Sequence, residues 1–482
     1  TLSTAHIRLD NLPPKFRLMI TKTALHLLNV AQGMSPSPID TLKMLCSSGE
    51  GIFTIGEFDH LCGDDGLLSL QPHVRKGVLT AMMELNENAE FNTSNKYLLR
   101  LWLAQFDADK DNLEFAEDAW GDLFGDDDEG ILPSTGFDEH FIELMCHKDR
   151  LIQRMAADAL SGAMGVHSDD LEMILKKLLD LFRSKAPLSE EEKKEKKKNV
   201  AKPKFAEARA KKKEIDPNIA IFAGTRGAVG RVFGAAGDEE VFSLDNVEHA
   251  FGFLIENGLR DVDSYVRQEM TNSGMRLVSQ YGKDASDRFL RIFEIALGKA
   301  EAAEKNKNLT EAEYLLYDHQ REGVIVFMGT IAKYMDPQNP KIPTIIETLI
   351  QALRTPSQDV QLAVAGCLPA IMKLEKKRVG NDGGKHIITT LLDRVLNEET
   401  YGERRGAAHG LAASVKGLGI PVLTTFSVIP KLKEAAGNRK KFEHRQGALF
   451  CFERLCITLG LLFEPFVIQL LESMLILVSD RH

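Results

Sequence analysis

Apolar residues recur at helical spacing along most of the chain, and one short pattern opens helix after helix. It is a basic or polar residue followed by small and apolar residues on one face. The pattern reads His73-Val74-Arg75-Lys76-Gly77-Val78-Leu79, then Arg154-Met155-Ala156-Ala157-Asp158-Ala159-Leu160, then Tyr265-Val266-Arg267-Gln268-Glu269-Met270. It returns as Val360-Gln361-Leu362-Ala363-Val364-Ala365-Gly366, as Arg405-Gly406-Ala407-Ala408-His409-Gly410-Leu411 and as Arg445-Gln446-Gly447-Ala448-Leu449-Phe450, with weaker copies at Glu114, Arg226 and Glu322. Anchored on the polar residue, the copies stand at 75, 114, 154, 226, 267, 322, 361, 405 and 445, giving steps of 39, 40, 72, 41, 55, 39, 44 and 40. The two long steps each hold an insertion: a Lys/Glu run at 185–214 and a second insertion near 298–313. Without them both return to about 40.

A period near 40 with two helices per unit is the HEAT or armadillo value. The expected fold is therefore all-α, a HEAT/armadillo-type α-solenoid of about ten helix pairs with no sheet. Gly and Ala at the opening of the second helix let it approach its neighbours closely, while Leu, Val and Phe fill the seam. Acids just before these helices, Asp149, Asp261, Asp263 and Asp359, suit helix N-termini. With them, Arg75, Arg154, Arg267, Arg405 and Arg445 are expected to form a structural ladder between repeats. Pro133, Pro343, Pro430 and Pro465 fall near the starts of first helices, where proline costs no hydrogen bond. The expected divisions are repeats over 1–184, a charged loop or projecting helix at 185–214, repeats over 215–390, and repeats over 391–482.

Composition excludes whole-chain disorder: of 482 residues 44% are hydrophobic and 27% charged. The six cysteines include no CxxC pair and several sit among apolar neighbours, as in a reducing compartment such as the cytoplasm. No membrane span or secretion signal is expected, because no run of about 18 uncharged apolar residues occurs. Charge is unevenly spread within a net −10. The stretch 107–129 holds eleven acids against one base, and 185–214 holds twelve bases against six acids. Asp107-Ala108-Asp109-Lys110-Asp111 imitates the front of a calcium loop, but Asn112 stands where glycine is needed and Asp118 where glutamate is usual. Gly224-Thr225-Arg226-Gly227-Ala228-Val229-Gly230 lacks the Gly-Lys-Ser/Thr of a phosphate loop. No catalytic residue, metal site or cofactor is expected.

The last hundred residues carry a specific likeness. Tyr401-Gly402-Glu403-Arg404-Arg405-Gly406-Ala407-Ala408-His409-Gly410-Leu411-Ala412-Ala413, Val415-Lys416-Gly417-Leu418-Gly419-Ile420, Arg445 to Glu453, Leu459-Gly460 and Phe463-Glu464-Pro465-Phe466 resemble the giant HEAT-repeat general-control translational activators. That family serves the kinase of the initiation factor 2 alpha subunit, and the stretch resembles the opening of its region related to fungal elongation factor three. The resemblance implies an internal portion of a longer protein acting as a non-catalytic scaffold on stalled or collided ribosomes in amino-acid starvation. It also implies partnership with an ATP-binding-cassette protein of the F type, with kinase docking left to a later segment. For ribosomal RNA the candidate contacts are Arg404, Lys416, Lys431, Lys433, Arg439, Lys440 and Lys441, with Gly437 to Lys441 an exposed turn. The alternatives are a nuclear transport receptor and a phosphatase-type HEAT scaffold.

Overall fold

The computed structural model describes residues 12–31, 33, 35–48, 52–87, 94–125, 128–187, 218–304, 309–380 and 382–478. The Lys/Glu run lies almost wholly outside them, as does part of the second insertion. Among the described residues there is no strand, as the pattern leads one to expect. The chain divides into two compact units, Thr1–Val241 and Phe242–His482, each a stack of HEAT-type helix pairs.

The first unit runs α1 (Pro14–Val30), α2 (Pro36–Cys46), α3 (Ile55–Leu61), α4 (Pro72–Met82), α5 (Asn95–Ala104), α6 (Lys110–Phe124), α7 (Asp128–Ile131), α8 (Phe137–Met145), α9 (Arg150–Val166), α10 (Leu171–Ser184) and α11 (Asn218–Asp238). The second runs α12 (Leu244–Phe253), α13 (Ser264–Glu304), α14 (Glu311–Ile331), α15 (Ile342–Ala352), α16 (Gln358–Val379), α17 (Lys385–Asn397), α18 (Tyr401–Leu418), α19 (Val422–Thr425), α20 (Val428–Ala436), α21 (Phe442–Leu459) and α22 (Glu464–Val478). The anchors fall on α4, α6, α9, α11, α13, α14, α16, α18 and α21, the second helices of their pairs. These second helices pack on one another along each stack, notably α9 on α11, α13 on α14, and α18 on both α16 and α21. Ala285, at φ −130° and ψ 22°, kinks α13, so its second half serves as the first helix of the next pair.

Local chemistry sets the helix ends. Thr54, Thr310 and Thr400 form capping boxes with Glu57, Glu313 and Glu403, each threonine accepting from the glutamate amide while the glutamate accepts from the threonine amide. Asp109, Ser243 and Ser357 cap α6, α12 and α16. Gly125, Gly380, Gly419 and Gly460 close helices at positive φ. Gly460 also interrupts Phe442–Glu472, the one stretch among the described residues with the length and apolarity of a membrane span, at mean hydropathy 1.7. Two helices joined by a 3-10 turn result. Their inner face, with Cys451, Phe452, Leu455 and Phe463, is buried, while Ile457, Leu461 and Ile468 are exposed.

Aromatic clusters fill the seams. In the second unit Phe251 lies 5.0, 5.1 and 5.8 Å from Phe289, Phe293 and Phe327, ring to ring. In the first, Trp102 and Trp120 meet edge on at 5.4 Å, and Trp102 Nε1 donates to the Ala159 carbonyl at 2.9 Å.

Close approach is what glycine supplies inside these helices. A Cβ on Gly406 would stand 1.9 Å from the Leu353 carbonyl oxygen and 2.7 Å from Gln361 Nε2, both in the preceding pair. Gly366, within α16, would meet nothing within 4 Å. Replacing a helix-interior glycine by alanine ordinarily stabilises by about 0.5–1 kcal/mol. We therefore expect Gly366→Ala to be neutral or stabilising in urea titration, and Gly406→Ala to destabilise by roughly 1–3 kcal/mol through overpacking. Equal behaviour of the two variants would contradict the packing of α18 on α16.

Candidate functional site

Polar side chains link successive helix pairs, and their chemistry is more mixed than the row of arginines named from the sequence. A polar residue near the start of a second helix donates to the carbonyl six residues behind it, in the loop that enters the helix. Arg75 Nη1 reaches Ser69 O (2.8 Å), Gln153 Nε2 reaches His147 O (2.7 Å), and Arg267 Nη1 reaches Asp261 O (2.8 Å). Gln361 Nε2 reaches Thr355 O (2.7 Å) and Arg404 Nη1 reaches Glu398 O (2.8 Å). These loop carbonyls have no helical partner, so a side chain folded back on them answers an obligatory demand.

The same side chains extend to the next pair. Arg75 clasps Asp107 through Nε to Oδ2 at 2.6 Å and Nη2 to Oδ1 at 2.5 Å, with both residues buried. Gln153 Nε2 donates to Ile221 O at 3.2 Å, Gln361 Nε2 to Gly402 O at 2.8 Å, and Arg404 Nη2 to Gln446 Oε1. Burial lowers the Arg267 guanidinium, opposed by the nearby Glu322, Asp261 and Asp263. Glu322 in turn accepts from Thr355 Oγ1.

Three sequence assignments change. Arg154 is exposed, and the ladder position one residue earlier is taken by Gln153, 1% exposed. Arg404, assigned to RNA, is 3% exposed and spends its guanidinium on Glu398 O, Glu399 O and Gln446. It is the ladder residue. Arg405 instead reaches back, donating to Gln361 Oε1 at 2.9 Å, to Gln358 Oε1 and to Pro356 O. Arg445 holds Asn438 O at 2.9 Å, closing its own turn.

The motifs that imitate chemistry are absorbed in the same way. Both oxygens of Asp107 face Arg75, and Oδ1 also accepts from the Asp109 amide at 2.9 Å. Asp109 caps α6. The glycine-rich 224–230 lies inside α11, where a Cβ on Gly224 would meet Gln153 Oε1 at 1.9 Å. Burial pushes the Cys62 thiol up to about 12 and raises Cys46 and Cys451 as well. No group of three or more His, Cys, Asp or Glu able to hold a metal occurs among the described residues.

The remaining cations form two separate sets. Lys431 and Lys433 are exposed on α20 and Arg439, Lys440 and Lys441 on the turn that follows it, with Glu434 and Glu443 as nearby acids. Asn438 Oδ1 shapes that turn by accepting from the amides of Lys440 and Lys441 at 3.1 and 3.3 Å. Lys416 does not belong there. It stands near the other end of α18, roughly 18 Å from Arg404 at 1.5 Å per residue. Its neighbours are the last turn of α16, where Lys376 Nζ donates to Leu418 O at 2.8 Å and Arg378 pairs with Glu375. Lys373, Lys377 and Lys385 are exposed beside them. This second rim was readable as Lys376-Lys377-Arg378 before Gly380, a run absent from the sequence-level assignment.

A stack of paired helices tied by a buried polar ladder, with its cations at the turns, defines a HEAT-repeat protein. The family model described as "Stalled ribosome sensor GCN1, HEAT repeats" matches residues 87–333, just over half of the chain, and one described as "EF3 N-terminal HEAT repeat" matches 404–482. The chain belongs to the GCN1 family. It is 30% identical over 423 residues to protein ILITYHIA of Arabidopsis thaliana, covering 86% of this chain and 14% of that protein. It is 30% identical over 454 residues to stalled ribosome sensor GCN1 of Homo sapiens, covering 92% of this chain and 15% of that protein. It is also 30% identical over 425 residues to eIF-2-alpha kinase activator GCN1 of Dictyostelium discoideum, at 86% and 14%. The chain thus spans about one-seventh of the length of these relatives.

Two histidines, His409 buried and His140 half-buried, couple the stacks to pH. Burial lowers His140 and His409 from 6.5 to about 4, with Arg100 and Lys96 adding to the effect at His140 and Arg454 and Arg405 at His409. Below about pH 6.5 the unfolded chain binds a proton at each histidine and the folded chain does not. Stability is therefore full above 6.5 and declines as pH falls toward 4. Urea titrations at pH 7 and pH 5 should show a lower midpoint at pH 5, and His140→Asn with His409→Asn should shrink that difference. An undiminished difference in the double variant would place the sensitive groups elsewhere.

Proposed function

We propose that this chain is a non-catalytic, cytoplasmic scaffold segment of translational control, working on stalled or collided ribosomes and helping to activate the initiation factor 2 alpha-subunit kinase in amino-acid starvation. The family match over more than half of the chain carries this reading, since the relatives' names are stalled ribosome sensor and eIF-2-alpha kinase activator. In this reading the kinase is engaged through a later segment, and an ATP-binding-cassette protein of the F type is a partner of the whole assembly. A ladder that occupies its buried charges with structural bonds favours a scaffold, because the groups a catalyst would need are taken up in holding the helices.

Ribosomal RNA is assigned to Lys431, Lys433, Arg439, Lys440 and Lys441, with Lys416 on the second rim. What supports the turn is its exposure within the segment matching the elongation-factor-three repeat. Cations on a rigid turn reach phosphates with little desolvation, and each neutralised phosphate releases counterions. Replacing Arg439, Lys440 and Lys441 together with Glu in the full-length protein should lower ribosome co-sedimentation and flatten its salt dependence, with helix content unchanged. The variant Lys373→Glu, Lys377→Glu, Lys416→Glu tests the other rim in parallel. If the first variant sediments like the unaltered protein, the turn is not a principal contact.

A further inference from the structure

We infer that the second rim is a binding surface for the phosphate backbone of duplex RNA, running over three helix pairs from Lys333 to Lys416. The geometry that assembles it is the parallel course of the second helices. A Cβ on Gly329 would stand 2.8 Å from Cys367 Cβ, and one on Gly417 would stand 2.7 Å from Met372 Cβ. Lys333, in the 3-10 turn that ends α14, and Lys416, near the end of α18, therefore flank the last turns of α16, which carry Lys373, Lys376 and Lys377. Lys376 Nζ donates to Leu418 O, and the Leu418 side chain lies against Gly384, the residue before Lys385. All six lysines are exposed. With neighbouring helix axes about 8–10 Å apart, the row is roughly 20 Å long.

The row is not neutralised from within. Elsewhere Lys96, Lys148, Lys177, Lys299 and Lys341 each pair with an acid of another segment. Lys373, Lys377, Lys385 and Lys416 have no ion-pair partner among the described residues. The acids beside them are Asp336 and Asp382, both exposed, and Glu375, which is buried and held by Arg378 at 2.7 Å. Helix ends do not account for the pattern. The dipole of α16 favours Lys376 and Lys377 in its last turn, but Lys385 opens α17, where the dipole opposes a cation. Lys373 and Lys377 also repel at four-residue spacing. An extended anion relieves that repulsion, and each phosphate neutralised releases counterions. No Phe, Tyr or Trp is exposed on the rim: Tyr334 is half-buried, with Lys333 Nζ over its ring at 4.7 Å and its hydroxyl donating to Ser279 O at 2.7 Å. Single strands are held by stacking bases on exposed aromatics, so lysines alone suit a duplex, whose bases are already stacked. For the source of the RNA this inference rests on the ribosomal reading above.

The test is fluorescence anisotropy with the full chain and a labelled RNA hairpin of mixed sequence. Binding should weaken with salt and fall roughly tenfold in Lys373→Glu, Lys377→Glu, Lys385→Glu, with a shallower salt slope. The same three positions changed to Gln should lose less, and circular dichroism checks that both variants keep their helix content. A charge-matched control, Lys15→Glu, Lys22→Glu, Lys176→Glu in the first unit, should bind nearly as the unaltered chain. An equal loss in that control would reduce the effect to net charge and overturn the rim. Tighter binding of oligouridylate than of the hairpin would overturn the choice of a duplex, and tighter binding of phosphatidylserine vesicles would overturn the choice of RNA. Co-sedimentation of the full-length protein separates this inference from the ribosomal reading. Hairpin binding lost in the rim variant with ribosome association unchanged keeps the rim and removes the ribosome as its source of RNA. Hairpin binding retained in that variant overturns the rim, whatever the ribosome does.

Discussion

Each helix pair must enter its second helix through a loop whose carbonyls have no helical donor, and the polar residue that folds back on them organises the stack. One guanidinium or amide answers the loop behind it and the neighbouring pair ahead of it. Neither task can be abandoned cheaply. A buried carbonyl left unpaired costs about 1–3 kcal/mol, and stranding Asp107 without Arg75 costs roughly 3–5 kcal/mol. Side chains that do both fix the register of one pair on the next. Amide and guanidinium are interchangeable in this role, since both present N–H groups in a plane. That explains why Gln153 and Gln361 stand where Arg75 and Arg404 stand elsewhere.

Glycine is the geometric counterpart of that bond. Gln153 lies over Gly224 and Gln361 over Gly406, each at a distance no Cβ could tolerate. The polar side chain of one pair and the bare backbone of the next thus form a single device. Apolar packing then fills the space on either side of it, as in the Phe251, Phe289, Phe293 and Phe327 cluster.

The period, the second helices and their small-residue faces were legible because each recurs in sequence at a fixed interval. The ladder was legible only to within a residue. Counting arginines selects Arg154 and Arg405, but the fold selects by position relative to the entering loop, and that position holds Gln153 and Arg404. A search for a donor six residues after the loop carbonyl finds all five. Grouping cations by nearness in sequence failed at Lys416 for a related reason: α18 carries it to the opposite end of the pair from Lys440.

Charge in these stacks divides by burial rather than by sign alone. Arg75, Arg226 and Arg404 are buried and committed to carbonyls or acids, Arg226 Nη1 for instance reaching Lys185 O at 2.7 Å. Lys440 and Lys441 are exposed on a turn, and Lys431 is exposed on the helix before it. Arginine suits the first role because its planar fork serves several acceptors at once and it stays charged when desolvated. Lysine suits the second, being a hydrated point charge that meets a diffuse anionic surface without fixed geometry. An exchange of Arg for Lys is therefore disruptive inside the ladder and tolerable at the tips, which makes the identity of the cation a guide to its role wherever this repeat recurs.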